Sequence, residues 1–401
     1  MNAPQLRRLP DGHCVFGHVD EGYGGVLDAF VRNFTERRDQ GAACAVVRDG
    51  RTVVDAWGGT ADARTGRPWE ADTAAVIFSC SKGIVAICAY LLVQDGQLDL
   101  DAPIARYWPE FAANGKAQIT VRGAMSHRAG LPAPADDLAL EDVLAWDPVI
   151  RTIERQAPLS APSDGHVYHA MTYGWLVGEV IRRITARLPG AFFGEAVAEP
   201  LGLSTWIGLP DRVRATVAWM EPPLPDEPSD AARRAAAVVA GDELVARSHT
   251  MGGAYAFPEQ DGTVTFNDPR IQAAEIPAAN GISTARSLAR LYGACVRSLD
   301  GVRLLTQESI ADALRVQAAG PQLSGLPDDG ARWGTGFQIA SPPTQPMLGA
   351  TSFGHAGAGG QLAFADADHG IGFAYLSNQM GGYGDSRSRT LTEALARALG
   401  V

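Results

Sequence analysis

Lysine is nearly missing from this chain of 401 residues: of its 34 basic residues only Lys82 and Lys116 are lysines. An arginine stays charged at any workable pH and cannot act as a base, whereas a lysine in a dry pocket can lose its proton. Such scarcity makes each lysine a candidate for chemistry. Cysteine is also sparse and odd in number. Cys14, Cys44, Cys80, Cys88 and Cys295 are scattered with no Cys-x-x-Cys spacing, which excludes a disulfide framework and predicts free thiols in a reducing compartment. No block of basic residues occurs, and the formal charge is −11; nucleic acid and acidic membrane surfaces are excluded as partners. The first ten residues, Met-Asn-Ala-Pro-Gln-Leu-Arg-Arg-Leu-Pro, lack the apolar core of an export signal. With the thiols, this predicts a cytoplasmic protein. The most apolar run, residues 74–93, approaches membrane-spanning length, but Ser79, Ser81, Lys82 and Gly83 interrupt it, so it reads as a buried helix. Gly-x-Ser-x-Gly is absent, which removes the nucleophile elbow of the α/β-hydrolases. His13, Cys14 and His18, and the pair His166 and His169, find no acid or thiol set to complete a metal site. They read as surface or loop histidines, and no metal or cofactor is expected.

What is present is ordinary globular composition, 46% hydrophobic and 20% charged, in a chain long enough for one compound domain or two. Val26, Leu27, Phe30, Val31 and Phe34 recur at helical spacing near the N-terminus. Runs at 42–47 and 52–57 flank Arg48-Asp49-Gly50-Arg51, an Asp-Gly hairpin signal. Runs at 361–365 and 371–376 flank a second turn, and a helix follows from 387 to 398 with Leu391, Ala394, Leu395 and Ala398 on one face. Between the ends lie an all-apolar helix at 84–94, stopped by Asp95-Gly96, and a helix at 173–188 carrying Leu176, Val177, Val180, Ile181 and Ile184 on one face. Residues 222–228 are proline-rich and extended, and periodicity is weakest from about 207 to 275. The pattern predicts an α+β fold. Residues 1–75 and 270–401 form an antiparallel sheet with N- and C-terminal helices. Residues 76–269 form a mostly helical inserted domain with a long loop region at about 207–269.

Lys82 follows Ser79 by three residues in Phe78-Ser79-Cys80-Ser81-Lys82-Gly83. That spacing at a helix start puts hydroxyl and amine one turn apart on one face. Two further local sequences follow in order: Tyr168-His169-Ala170, in a loop before the 173–188 helix, and His355-Ala356-Gly357-Ala358, entering the second hairpin. In this order the chain resembles the serine β-lactamase and penicillin-binding-protein superfamily, most closely its class C β-lactamase-like branch, whose elements are Ser-x-x-Lys, Tyr-x-Asn and Lys-Thr-Gly. Met125-Ser126-His127-Arg128-Ala129-Gly130-Leu131-Pro132 and Asn280-Gly281-Ile282-Ser283-Thr284-Ala285 extend the likeness over residues 41–380. The resemblance implies a β-lactamase/transpeptidase-like fold, with Ser79 as nucleophile and Lys82 and Tyr168 jointly as its base. It also implies an oxyanion hole from the backbone N–H groups of Ser79 and Ala358, and substrate contacts from Ala170, His355, Ala356 and Gly357.

Two departures bear on substrate. Ala170 replaces the asparagine of Tyr-x-Asn, and His355 replaces the lysine of Lys-Thr-Gly. Without that amide and ammonium, a neutral carboxylic ester is a better expectation than a penicillin, as in family VIII carboxylesterases and 6-aminohexanoate-oligomer amidases. The expected activity is an intracellular serine carboxylesterase acting on a small-molecule, short-chain ester. The alternatives are amide or β-lactam hydrolysis, acyl transfer to another alcohol, and a catalytically silent binding protein on the same scaffold. Tyr173 is a second candidate tyrosine, but it fits the apolar face of its helix and reads as core. Cys80 reads as a packed thiol.

Overall fold

The two ends of the chain supply the sheet. The computed structural model describes residues 4–9, 12–162, 164–224, 242–255, 265–324, 328, 330–341, 347–382 and 385–401. From the N-terminal end come β1 (Gln5–Arg8), β2 (Cys14–Val19), β3 (Gly41–Arg48), β4 (Arg51–Asp62) and β5 (Arg67–Pro68). Three two-residue strands, β6 (Ala75–Val76), β7 (Thr205–Trp206) and β8 (Ile282–Ser283), form a separate small sheet. The C-terminal end adds β9 (Ala318–Ala319), β10 (Arg332–Trp333), β11 (Gln338–Ile339), β12 (Ser352–Ala356), β13 (Leu362–Asp366) and β14 (Ile371–Ser377). Among the described residues the main sheet has eleven strands, ordered β1-β2-β4-β3-β14-β13-β12-β11-β10-β9 with β5 beside β4. The fold is α+β. The two hairpins expected from the turn signals join antiparallel along β3 and β14, with Ala45 opposite Ala374. Asp49 and Gly50 both take positive φ, 48° and 80°, the geometry that Asp-Gly supplies between twisted strands.

Both faces of the central strands are buried, which explains why they read as continuous apolar runs. Ala42, Cys44, Val46, Phe373 and Tyr375 face the outer layer, where the terminal helices Gly24–Arg37 and Arg387–Leu399 bury Val26, Leu27, Phe30, Leu391 and Leu395. Ala43, Ala45, Val47, Ala374 and Leu376 face the inner layer. There the helix Ala285–Val296 lies directly on the sheet. A Cβ on Gly372 would sit 2.1 Å from the carbonyl oxygen of Ala289, so glycine is what admits the helix to that strand.

Behind this helix the middle of the chain packs as helices. Ser81–Gln94 is buried on nearly all sides, and Thr172–Thr185 packs against it. The second ends three residues earlier than its periodicity suggests, because Ala186 turns into the left-handed region at φ 58°. The 207–269 region, expected to be loop, contains a helix at Glu243–Thr250. Two turns of helix hold too few apolar positions for periodicity to register, although its cap was visible: the Asp242 carboxylate accepts the Val245 N–H. Residues 225–241 and 256–264, and with them most of the proline-rich stretch, lie outside the described residues. Among those described, no helix is long and apolar enough to cross a membrane.

Candidate active site

The chain reaches Ser79 through a strained turn. Phe78, immediately before it, takes φ 45°, a conformation that costs a bulky side chain of order ~1–3 kcal/mol and persists only when its surroundings enforce it. Here Ser81 Oγ donates to the Phe78 carbonyl at 2.5 Å, and Gly281 N–H donates to Ser81 Oγ at 2.9 Å. The Phe78 ring packs edge-on against Phe266. Ser79 therefore sits in a 3-10 turn, Phe78–Cys80, just ahead of the α-helix that begins at Ser81, rather than inside the helix itself. The turn and helix run on continuously, so Lys82 still lies one turn beyond Ser79.

Lys82 is fully buried. Its nitrogen donates to the carbonyls of Ala170 at 2.7 Å and Ala278 at 2.9 Å, and lies 3.1 Å from Ser79 Oγ. Burial, with no carboxylate alongside, pushes its pKa well below the ordinary lysine value. Ala278 is presented by a loop that Asn280 ties together, donating to the carbonyls of Ile271 and Ala274 and accepting from Ile276 N–H. Lys116, the other lysine, is equally buried but donates to the carbonyls of Ala113, Glu154 and Gln156. It is a strut tying the loop at Ala113 to the C-terminal end of the helix Asp147–Arg155.

Tyr168 completes the triangle: its hydroxyl lies 2.9 Å from Ser79 Oγ. Burial pushes its pKa up, so the phenol is neutral. Its loop is held by the Met125–Pro132 stretch. Val167 N–H donates to the His127 carbonyl at 3.1 Å, and His169 N–H donates to His127 Nδ1 at 3.1 Å. His169 Nδ1 bonds the Val167 carbonyl, and its Nε2 accepts the Leu131 N–H. His166 and His169 are loop histidines, but the loop is buried, leaving them 5% and 0% exposed. The loop lies inside the fold because it must deliver Tyr168 to Ser79, and burial holds the His169 pKa down to about 4. Tyr173 is core, as its helical position suggested.

β12 brings the third motif alongside. Cys80 Sγ donates to the His355 carbonyl at 3.1 Å, and a Cβ on Gly357 would fall 2.4 Å from the Ile77 carbonyl oxygen. The strand thus lies directly against the turn that holds Ser79. Ala356 ends β12, and the 3-10 turn Ala358–Gly360 follows. The His355 ring is buried with its pKa held down to about 3, mainly by burial. Its Nδ1 lies 2.6 Å from the Ala356 carbonyl, which can only accept, so Nδ1 carries the proton and Nε2 is a bare acceptor. That Nε2 is buried without a hydrogen-bond partner among the described residues. Cys80 is a packed thiol whose burial raises its pKa to about 12.

The beta-lactamase family model matches residues 27–398. The chain belongs to the beta-lactamase family. It is 34% identical over 399 residues to Esterase/beta-lactamase LipL of Mycobacterium tuberculosis (strain ATCC 25618 / H37Rv), covering 92% of this chain and 85% of that protein. It is similar to the structure of a family VIII carboxylesterase, with TM-score 0.84 and 32% identity over 96% of this chain and 99% of the other. A penicillin-binding-protein homologue from Caulobacter crescentus gives TM-score 0.84 and 33% identity, with the same coverage of 96% and 99%. The protein is a serine hydrolase of the beta-lactamase family, with the β-lactamase/transpeptidase-like fold.

Several residues of this beta-lactamase-family site were not singled out from sequence. Trp333 stacks on Tyr168 with ring centroids 5.2 Å apart, and His127 lies 4.8 Å from the same ring. Gln322 Oε1 accepts the Tyr168 N–H at 2.8 Å, and Ser248 Oγ accepts the Ala170 N–H. The Met125–Pro132 and Asn280 stretches drew attention without roles. Trp333 lies in a two-residue strand, too short to leave a pattern. Among the described residues, no cluster of three or more His, Cys, Asp or Glu is placed to hold a metal ion.

Proposed function

We propose that this protein hydrolyses short-chain carboxylic esters through an acyl-enzyme on Ser79, with Lys82 as the base and Tyr168 as the proton donor. One observation carries the reading: Ser79 Oγ lies 3.1 Å from Lys82 Nζ and 2.9 Å from Tyr168 Oη, while two backbone carbonyls occupy the other directions around Nζ. A neutral amine has two N–H donors and one lone pair. The carbonyls of Ala170 and Ala278 can only accept and take both donors, so the lone pair faces Ser79. The serine proton passes to Lys82 as Oγ attacks the acyl carbon. The developing oxyanion meets the N–H groups of Ser79 and Ala358, at the positive end of the helix that follows. Tyr168 protonates the departing alkoxide. As tyrosinate beside the Lys82 ammonium, it then takes a proton from water, which attacks the acyl group. Ser79 leaves with the proton held by Lys82, restoring the starting state.

The preference for esters over β-lactams rests on Ala170 and His355. Ala170 offers a methyl where an amide would hold an acylamino chain. His355 is buried and neutral, so it supplies no cation to a carboxylate. The similar structure described as a family VIII carboxylesterase supports the same preference, while LipL's name carries esterase and beta-lactamase together. Fluorophosphonate labelling with mapping of the modified peptide tests the nucleophile, and an adduct on Ser79 is expected. Parallel assays of a nitrophenyl butyrate and a chromogenic cephalosporin test the substrate. The ester should lead in kcat/KM by at least about tenfold, the worth of one charged hydrogen bond. Comparable constants would return the protein to β-lactam chemistry.

A further inference from the structure

The turn that carries the Ala358 N–H is held by a residue far from every motif. Gly359 and Gly360 take φ 79° and 98°, values either glycine can leave without steric penalty. Something outside the backbone must therefore fix them. On one side Gln361 does so: its Nε2 donates to the carbonyls of Val76 and Ser377, its Oε1 accepts the Ser377 N–H, and its own carbonyl accepts the Gly357 N–H. On the other side stands Arg387, the first residue of the C-terminal helix. Its Nη2 donates to the Gly359 carbonyl at 2.7 Å, an oxygen that also accepts the Gly381 N–H at 3.2 Å.

The guanidinium has little freedom of its own. Nε and Nη2 bond the Asp385 carboxylate, and Nη1 bonds Asp39 and Ser377 Oγ. The Arg387 side chain is 3% exposed and that of Asp39 0%. Two carboxylates and a hydroxyl orient the fork, and one of its edges meets Gly359. A Cβ on Gly360 would strike the Asp385 carboxylate at 2.3 Å, so the ion pair and the turn are in direct contact.

We propose that Arg387 is a positioning residue for the oxyanion hole, holding the Ala358–Gly360 turn so that the Ala358 N–H faces the acyl carbon's oxygen. This rests on the reading of Ala358 as an oxyanion donor. A lysine at 387 keeps the charge but, as a point cation, cannot bridge two carboxylates and a carbonyl in fixed geometry.

The test is Arg387→Lys, with competent sites counted by fluorophosphonate titration. Removing an oxyanion donor outright costs roughly 10²–10³ in rate. A displaced donor should cost less than a removed one, about 10- to 100-fold in kcat/KM per titrated site. Inhibition by an aryl boronic acid, whose tetrahedral adduct places an oxygen in the same hole, should weaken by the same factor, and the pH midpoint should not move. Asp385→Asn, which loosens the fork but keeps the arginine, should move both quantities in the same direction by less; it decides the matter should Arg387→Lys fail to fold. A lower titrated fraction with unchanged per-site kcat/KM and boronate affinity would make Arg387 purely structural and overturn the proposal. Wild-type protein that hydrolyses no ester, or is labelled elsewhere than Ser79, would instead overturn the functional reading and this inference with it.

Discussion

The side-chain nitrogen of Lys82 donates to the Ala278 carbonyl at 2.9 Å, across 196 positions of sequence. With the Ala170 carbonyl at 2.7 Å, that contact leaves a neutral amine only its lone pair to turn toward Ser79. Ester turnover by Ser79→Ala should therefore fall to background, since Cys80 and Ser81 are bonded elsewhere. Lys82→Arg should lose about 10²–10⁴-fold, the range for losing a general base, because a guanidinium cannot accept the proton. Steady-state assays on folded variants check both. A mild Lys82→Arg phenotype would reduce the lysine to a positive charge.

The pH dependence of kcat/KM should have a single acid limb. Under the proposed mechanism Lys82 acts unprotonated; burial has lowered its pKa, so activity should be present above that folded pKa and lost below it. The profile should rise from acid pH to a plateau above that folded pKa. Burial has raised the Tyr168 pKa, so the proton donor should stay loaded, with no decline before pH ~10. A rise centred near pH 3, where His355 titrates, would name that histidine as the base.

Stability should carry the same signature. Unfolded, Lys82 titrates near its ordinary pKa of ~10.4; folded, it titrates lower. Between the two values the unfolded chain binds the extra proton, so the native state gains stability as pH rises, by up to about 1.4 kcal/mol per pH unit. Urea denaturation of wild type and Lys82→Met at pH 7 and 9.5 isolates this, because methionine does not titrate. Wild type should gain on the variant at the higher pH. A difference independent of pH would mean that Lys82 keeps an ordinary pKa.

His355→Gln separates substrate contact from catalysis. Activity should fall by no more than about tenfold, as for one neutral hydrogen bond, with the midpoint unmoved. Acid stability should change more. The folded pKa of about 3 lies below the unfolded value, so the neutral imidazole contributes stability that is full above pH ~6.5 and lost as pH falls toward 3. Glutamine removes that dependence. Between pH 6 and 4 the variant should lose stability less steeply than wild type, by up to about 1.4 kcal/mol per pH unit. Equal slopes would place the His355 pKa in the ordinary range.

Local pattern determined much of this protein. The Asp49-Gly50 turn, the apolar runs of β3 and β14, the buried helix that ends at Gln94 and the Ser79–Lys82 spacing all follow from neighbours along the chain. The order of three short motifs was enough to point to the family. Scarcity of lysine did not separate Lys82 from Lys116, since both are buried and bonded to carbonyls. Only the tertiary structure decided which of them meets a serine. It alone brought Tyr168 to Ser79, set Trp333 on the tyrosine ring and aimed Arg387 at Gly359. Those contacts join residues 89 and 165 positions apart, or 28 with the β13–β14 hairpin between, and none repeats with any period. Their geometry comes from the packing of sheet, helices and loops into one core, and a single arginine among many carries no mark of its place in it.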